Sequence, residues 1–125
     1  MKGLVVLGST GSVGGPTLGI VGAVPEEFRV VGLAARRSFT ALASQVGEFD
    51  PKYVSFDGTD GEKAEFSSNG HVMCSMEEMV AFPEVDLVVS ATVGDAALGP
   101  TIAAIEARKE IVLVNKEAII MAGPI

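Results

Sequence analysis

The fold of this chain follows from the sequence LVVLGSTGSVGG at residues 4–15. A short apolar run passes directly into a glycine-rich turn, and the residues from Pro16 to about position 23 then have the character of a helix. Glycines at positions 8, 11 and 14 allow a tight turn, and free N–H groups at the start of a following helix bind anions. The G-x-x-G-x-x-G spacing between a strand and a helix predicts a dinucleotide-binding loop, with a tight turn that binds nothing as the alternative.

The rest of the chain alternates apolar runs with helix-like stretches. Six candidate strands lie at residues 4–7, 30–33, 53–56, 71–74, 87–89 and 111–114. The first, second, fifth and sixth are apolar without alternation, which is typical of strands in a parallel sheet that is covered on both faces. The sequence therefore predicts an α/β fold of the Rossmann-like, doubly wound type, with a mostly parallel sheet and helices on both faces.

Capping residues and apolar spacing predict where the helices lie. Ser38 is placed to cap a helix over residues 39–49, and Ser75 with Glu78 forms the pattern of a capping box. In the helix after the fifth strand, Ile102 and Ile105 are expected to supply the stripe that faces the core.

Two other segments carry weaker patterns. Residues 57–70 are polar and rich in glycine with one short helical candidate at residues 62–66, and we expect a variable surface connection there. Residues 118–122 have the pattern of the beginning of a further helix, so a domain that continues past residue 125 is expected.

The composition is typical of a globular domain. Its 125 residues suit one domain, and 48% hydrophobic with 20% charged residues exclude a disordered tail. No apolar run approaches the ~18 residues of a membrane-spanning helix, and the net charge of −7 argues against nucleic-acid or membrane binding. A single cysteine, Cys74, allows no internal disulfide, and no secretion leader is recognised before the first strand. We therefore expect a cytoplasmic domain.

The end of the second strand favours NADPH over NADH. An NADH site usually carries an acidic residue at this position, but here the strand ends in Arg36, Arg37 and Ser38. Two guanidinium groups and a hydroxyl suit the adenosine 2′-phosphate through charge-assisted hydrogen bonds. The alternative is a solvated helix start, but cations are unfavourable at a helix N-terminus, which argues for a bound anion. Whether Ser38 caps the helix, binds phosphate or does both stays open.

Polar residues also follow the later strands. Residues 90–94 come at a carboxyl strand end, where doubly wound sheets place ligands, although a plain strand-to-helix turn explains them equally well. Asn115, Lys116 and Glu117 place an amide, an ammonium and a carboxylate after the sixth strand. Helix capping by Asn115 and a solvated Lys116 is the alternative. His71 and Cys74 are interpreted as ordinary strand residues.

Taken together, these motifs resemble the amino-terminal cofactor domain of the 1-deoxy-D-xylulose 5-phosphate reductoisomerase family. The resemblance rests on residues 7–14 with 17–18, on residues 28–31, and on residues 114–117 with 122–123, and it spans essentially the whole chain. It implies that Asn115 and Glu117 contact NADPH and that Lys116 contacts a phosphosugar. The family often has a Gly-Lys-Asn-like triplet where this chain has residues 36–38, so the cationic character is kept and bulk is added.

The residues predicted to bind the cofactor, from the motifs and the resemblance, are Gly8, Thr10, Gly11, Ser12, Val13, Gly14, Arg36, Arg37, Ser38, Asn115 and Glu117. The resemblance implies that the loop residues hold the pyrophosphate. No residue of the chain is assigned as catalytic, and no metal constellation is found in the sequence.

The resemblance also implies an activity for a longer enzyme of which residues 1–125 are the cofactor domain. That enzyme isomerises and reduces 1-deoxy-D-xylulose 5-phosphate to 2-C-methyl-D-erythritol 4-phosphate in non-mevalonate isoprenoid synthesis. It uses NADPH and a divalent metal (Mg²⁺ or Mn²⁺) whose ligands lie outside this chain, and a homodimer is expected. The alternatives are another NADP-dependent dehydrogenase, such as a semialdehyde dehydrogenase, and a non-catalytic nucleotide-binding module.

Overall fold

A computed structural model describes residues 2–91 and 98–114, together with the backbone of residues 119–122. Within these ranges the strands are β1 (Lys2–Leu7), β2 (Phe28–Ala35), β3 (Tyr53–Phe56), β4 (Val72–Met73), β5 (Leu87–Ser90), β6 (Glu110–Val114) and β7 (Ile119–Ala122). The helices are α1 (Gly14–Gly22), α2 (Phe39–Phe49), α3 (Asp60–Ser68), α4 (Met76–Ala81) and α5 (Leu98–Glu106). No helix among the described residues is long and apolar enough to cross a membrane.

The strands form one sheet in the order β4-β3-β2-β1-β5-β6-β7. Strands β1 to β6 run parallel to one another, and β7 is antiparallel to β6. The chain moves outward in one direction from β1 through β2 to β4 and then returns to the other side of β1 at β5. The predicted doubly wound, mostly parallel α/β fold is confirmed, and β1 lies at its topological switch point.

The core lies on both faces of the sheet, because alternate residues of a strand point to opposite faces. Leu4 and Val6 of β1 pack in a cluster with buried residues of α1, α2 and α3. Val5 and Leu7 pack in a second cluster with buried residues of α4 and α5. All four side chains are essentially inaccessible to solvent. This double burial explains why β1 is apolar without alternation.

The segment predicted as a variable surface connection is instead largely helical. The Thr59 hydroxyl accepts a hydrogen bond from Glu62 N at 3.1 Å, and the Glu62 carboxylate accepts one from Thr59 N at 3.0 Å, so α3 begins at a capping box. Phe66 is buried and lies 5.4 Å, centroid to centroid, from Phe39. The helix predicted at residues 62–66 was therefore too short. Buried Phe66 holds the observed helix against the rest of the domain. The capping box predicted at Ser75 is confirmed.

The prediction for the core face of α5 was wrong. Ile102 and Ile105 are 46% and 38% exposed, whereas the buried residues are Pro100 and Ala104. Apolar residues occupy several sides of this helix, so their spacing does not define one face. Ala104 packs in the same cluster as Val88 of β5 and Ile111 of β6, so the small residue and not the isoleucines faces the sheet.

The prediction of a helix at residues 118–122 was also wrong for the residues that the structure describes, since Ile119–Ala122 forms β7. Val114 pairs with Ile119 and Ile111 pairs with Ala122 in an antiparallel ladder. The added strand satisfies backbone groups that β6 would otherwise expose at the sheet edge. Two adjacent isoleucines in this segment favour a strand over a short helix.

Candidate nucleotide-binding site

The site lies at the carboxyl ends of β1, β2 and β5. Leu7, the last residue of β1, is in register with Ala34 of β2 and with Ser90 of β5. The three strands therefore end at the same level, and the chain leaves each of them into a loop on the same edge of the sheet. Open α/β sheets bind their ligands in the crevice at such a switch point.

The glycine loop, residues 8–13, is tied to the end of β2 by backbone hydrogen bonds. Gly8 N and Ser9 N both donate to Ala34 O, at 2.8 and 3.0 Å, and Gly11 N donates to Gly8 O at 3.2 Å. Gly8 has a φ of 79°, a left-handed conformation that strains any residue with a Cβ atom. The first glycine of the motif is therefore required by the turn itself.

The third glycine of the motif lets α1 approach the loop. A Cβ atom on Gly14 would overlap the Gly8 carbonyl oxygen and lie 2.8 Å from Gly8 C and 2.9 Å from Ser9 Cα. Only a residue without a side chain fits there. The first turn of α1 is thus held directly behind the glycine loop, as the sequence predicts.

The glycine loop presents donors that the protein does not use. Within the described residues, the N–H groups of Thr10, Ser12, Val13 and Gly14 make no hydrogen bond. The N-cap residue Val13 also has no side-chain oxygen to offer them. Free N–H groups at the start of a nine-residue helix carry partial positive charge and bind anions. The predicted loop residues are therefore brought together in an arrangement that fits a pyrophosphate.

The predicted 2′-phosphate residues follow β2 and are all exposed. Arg36, Arg37 and Ser38 connect β2 to α2, and the Thr10 hydroxyl donates to Arg37 O at 3.4 Å. This contact links the loop after β2 to the glycine loop. Two exposed arginines thus follow the strand whose end is bonded to the loop that fits a pyrophosphate.

Ser38 does not cap α2 with its side chain, so this part of the prediction was wrong. Its backbone is left-handed, with φ 68° and ψ 62°, and the side chain makes no capping hydrogen bond, although its carbonyl accepts from Leu42 N at 3.0 Å. A left-handed residue other than glycine costs on the order of 1–3 kcal/mol, and such strained residues cluster at active sites and ligand clamps. The exposed hydroxyl stays available for a ligand.

A cavity of about 480 Å³ extends this edge beyond β2. Arg36 and Lys63 contribute cationic groups to its wall, Asp57 and Glu77 contribute carboxylates, and Cys74 also lines it. Sequence reasoning did not single out Lys63, because a lysine on a polar helix is ordinarily a solvated residue. The folded chain places it in the same cavity as Arg36.

Cys74 and His71 have structural surroundings. Burial, and then the negative charge of Glu78, raise the pKa of the Cys74 thiol to about 11, which keeps it protonated at neutral pH. The Nδ1 atom of His71 lies 2.6 Å from Pro51 O. The protonated thiol of Cys74 is a poor nucleophile. The interpretation of His71 and Cys74 as strand residues was wrong, because β4 covers only Val72–Met73 and the two residues flank it.

Sequence reasoning missed Gln45, which contacts the glycine loop from α2. Its Nε2 atom donates to Ser9 O at 2.8 Å. One signal in the sequence could have found it: Gln45 is a polar residue at helical spacing from Leu42 and Phe49, so it lies on the side of α2 that faces the core. The side-chain oxygens of Ser9, Gln45 and Ser90 are buried without a partner among the described residues. Unpaired buried polar atoms are rare, and their presence at this edge fits a site that a polar ligand or water completes.

Several predicted residues lie outside the described part of the chain. These are Asn115, Lys116 and Glu117, and also the loop residues 92–94. Among the residues that the structure does describe, no three His, Cys, Asp or Glu side chains converge as metal ligands. The described residues therefore fit a nucleotide cofactor but offer no donor set for a divalent metal.

Comparison with known proteins identifies the family. The sequence profile for 1-deoxy-D-xylulose 5-phosphate reductoisomerase matches residues 4–123. The chain is 39% identical to the protein of that name from Pelotomaculum thermopropionicum and 42% identical to the one from Chlorobaculum tepidum, over 98% of this chain in both comparisons. It spans 34% of the length of each of these two relatives.

Solved structures agree with this assignment. A crystal structure of DOX-P reductoisomerase in complex with NADPH, fosmidomycin and magnesium matches 94% of this chain and 31% of its own, with a TM-score of 0.85 and 32% identity. The reductoisomerase from Zymomonas mobilis in complex with NADPH matches 93% of this chain and 32% of its own, with a TM-score of 0.76 and 27% identity. The chain therefore belongs to the 1-deoxy-D-xylulose 5-phosphate reductoisomerase family.

Proposed function

We propose that this chain is the NADPH-binding domain of a 1-deoxy-D-xylulose 5-phosphate reductoisomerase. The observation that carries the proposal is the pairing, at adjacent strand ends, of unused backbone donors in the glycine loop with Arg36 and Arg37 after β2. The solved relatives that contain NADPH support the same assignment. A semialdehyde dehydrogenase receives no support from the family match.

The two halves of this site would recognise two different phosphate groups. The free N–H groups of Thr10, Ser12 and Val13 bind the pyrophosphate, which NADPH and NADH share. Arg36 and Arg37, with the Ser38 hydroxyl, bind the 2′-phosphate, which only NADPH carries. The glycine loop thus supplies general affinity for dinucleotides, and the arginines supply the preference for NADPH.

Residues 115–117 complete the proposal. Asn115 and Glu117 contact the cofactor, and Lys116 contacts the anionic phosphosugar, as the family motif implies. All three follow β6, which ends at the same edge of the sheet as the glycine loop. A phosphosugar bound there would lie beside the nicotinamide end of the cofactor.

The whole reaction requires more than this chain, which spans about a third of its relatives. We propose that a homodimeric cytoplasmic enzyme isomerises and reduces 1-deoxy-D-xylulose 5-phosphate to 2-C-methyl-D-erythritol 4-phosphate. NADPH supplies the hydride when it is bound. The family resemblance implies a divalent metal, Mg²⁺ or Mn²⁺, with ligands outside this chain, and the described residues provide no donor set for it. The chain alone is expected to bind cofactor without turnover.

Calorimetric titration of the chain with NADPH and NADH tests the proposal. We expect NADPH to bind roughly 100-fold more tightly, since each charge-assisted hydrogen bond contributes about 1.5–3 kcal/mol. The double variant Arg36→Ala/Arg37→Ala should reduce this ratio to about fivefold or less and leave the affinity for NADH almost unchanged.

The matched control is Arg29→Ala/Arg108→Ala. It removes the same charge near the amino ends of the strands, away from the candidate site. Arg29 is the second residue of β2, and Arg108 lies just before β6. This control should keep the preference for NADPH. Equal affinities of the unmodified chain for the two cofactors would remove the role given to Arg36 and Arg37.

A further inference from the structure

Gln45 connects the helix after the arginine pair to the glycine loop. Its Nε2 atom donates to the Ser9 carbonyl oxygen at 2.8 Å, and Ser9 itself is fully buried. If the side-chain amide of Gln45 were flipped, its Oε1 atom would face the Ser9 carbonyl oxygen, and neither atom could donate a hydrogen bond. The contact therefore fixes both the side chain of Gln45 and the direction of the Ser9 carbonyl.

The direction of this carbonyl decides where a neighbouring donor points. A trans peptide unit is planar, so Ser9 C=O and Thr10 N–H point in opposite directions along one rigid group. No cis peptide bond occurs among the described residues. Because Gln45 holds the carbonyl toward α2, the Thr10 N–H is aimed away from α2. That N–H makes no hydrogen bond within the described part of the chain.

The same loop is held to the β2–α2 connection at two further points. Ala34 O, just before the arginines, accepts from Gly8 N and Ser9 N. Arg37 O accepts from the Thr10 hydroxyl at 3.4 Å. Together with the hydrogen bond from Gln45, the glycine loop is thus bonded to residues before, within and after the segment that carries the arginines.

We propose that Gln45 is a positioning residue for the dinucleotide. It acts through the Ser9–Thr10 peptide, which it holds so that the glycine loop presents its free N–H groups to the pyrophosphate. This inference rests on the proposed function of the site. Without the donor on Gln45, the buried Ser9 carbonyl loses its partner, and an unpaired buried carbonyl is costly enough to turn the peptide. The loop would then have to be reordered each time a cofactor binds.

The variant Gln45→Met removes the donor and keeps the length and flexibility of the side chain. We expect it to weaken the binding of NADPH and of NADH by the same factor, about fivefold to tenfold, as for the loss of one hydrogen bond. The matched control is Ser44→Ala, an exposed neighbour on the same helix, which should change neither affinity. Thermal unfolding of each variant, recorded in parallel, shows that titration is done on folded protein.

The variant Gln45→Glu provides a test that a purely structural role would not pass. An ionised carboxylate has no donor for Ser9 O, whereas a protonated carboxyl group donates an O–H. The affinity for NAD⁺, which has no 2′-phosphate to titrate, should therefore recover toward that of the unmodified chain as the pH is lowered from 7 to about 4, across the ordinary glutamate pKa of about 4.3. The unmodified chain and Ser44→Ala provide the reference at each pH. This arm also decides the question if Gln45→Met fails to fold.

The outcomes separate the inference from the proposed function. Unchanged affinities in Gln45→Met, a loss confined to NADPH, or no recovery of Gln45→Glu at low pH would each overturn the positioning role. Failure of the unmodified chain to bind either cofactor would instead overturn the proposed function itself. Equal losses for both cofactors, together with recovery at low pH, support the role of Gln45.

Discussion

Replacing Gly14 by alanine tests whether the close contact between α1 and the glycine loop is essential. The added Cβ atom would overlap the Gly8 carbonyl oxygen and lie 2.8 Å from Gly8 C and 2.9 Å from Ser9 Cα. None of these three atoms belongs to a flexible side chain. The helix and the loop must therefore move apart by roughly 1 Å before ordinary contact distances are restored.

The cost of Gly14→Ala follows from this displacement. Overpacking of a tight contact costs about 1–3 kcal/mol. The shift also strains the hydrogen bonds from Gly8 N to Ala34 O and from Gly11 N to Gly8 O, each of which contributes about 1 kcal/mol. We expect the free energy of unfolding to fall by about 2–4 kcal/mol, and Tm by roughly 10–20 °C. In the fraction that remains folded, the loop donors are displaced, and the affinity for NADPH should fall more than about tenfold.

The matched control is Gly19→Ala in the same helix. A Cβ atom on Gly19 would have no neighbour within 4 Å, so alanine there meets no obstacle. It should stabilise the protein by about 0.5–1 kcal/mol, because glycine in a helix interior is less favourable than alanine. Differential scanning calorimetry and NADPH titration of both variants provide the comparison. If Gly14→Ala matches Gly19→Ala in Tm and in affinity, the argument from close approach is refuted.

Two further predictions concern side chains outside the glycine loop. Tyr53 Oη and Lys52 Nζ donate to Glu84 Oε2 at 2.6 and 3.0 Å, and these hydrogen bonds lower the pKa of Glu84 from 4.5 to about 2. Because the folded-state pKa lies below the unfolded one, Glu84 stabilises the protein above about pH 5 and loses this effect as the pH falls toward 2. In urea unfolding, Glu84→Gln should lose less stability between pH 5 and 2 than the unmodified chain does. The difference should be less than about 1 kcal/mol, because solvent screens the 37% exposed side chain. An unchanged pH dependence would contradict this. Cys74, with a pKa near 11, should react with iodoacetamide at pH 8 about 100-fold more slowly than free cysteine, since only the thiolate reacts. Reaction at the rate of a free thiol would show that Cys74 is not held protonated.

The sequence predicted those parts of the fold and site that depend on neighbouring residues. The glycine loop could be predicted because each glycine serves a local backbone requirement, such as the left-handed φ of Gly8. The continuous apolar runs predicted the parallel strands because both faces of each strand are covered. The capping box at Ser75 and Glu78 is likewise a pattern within four residues.

The parts that could not be predicted depend on contacts between distant segments. The face of α5 is set by which residues meet the sheet, and its sequence offers apolar residues on more than one side. The segment from Ile119 to Ala122 becomes a strand because β6 has an open edge beside it. Gln45 and Ser9 are 36 residues apart, and nothing in the local pattern of either residue predicts their hydrogen bond.

We expect cofactor binding and cofactor preference to be separable, because of which atoms join the two loops. The glycine loop is held to the β2–α2 segment through the carbonyl oxygens of Ala34 and Arg37 and through the side chain of Gln45. Among the described residues, no hydrogen bond joins the loop to the guanidinium group of Arg36 or Arg37, since the only bond to Arg37 is made by its carbonyl oxygen. The arginine side chains can therefore be replaced while the backbone that aims the loop donors stays in place. For this reason we expect the arginine variants to change the preference for NADPH, and the Gln45 and Gly14 variants to weaken the binding of NADPH and NADH alike.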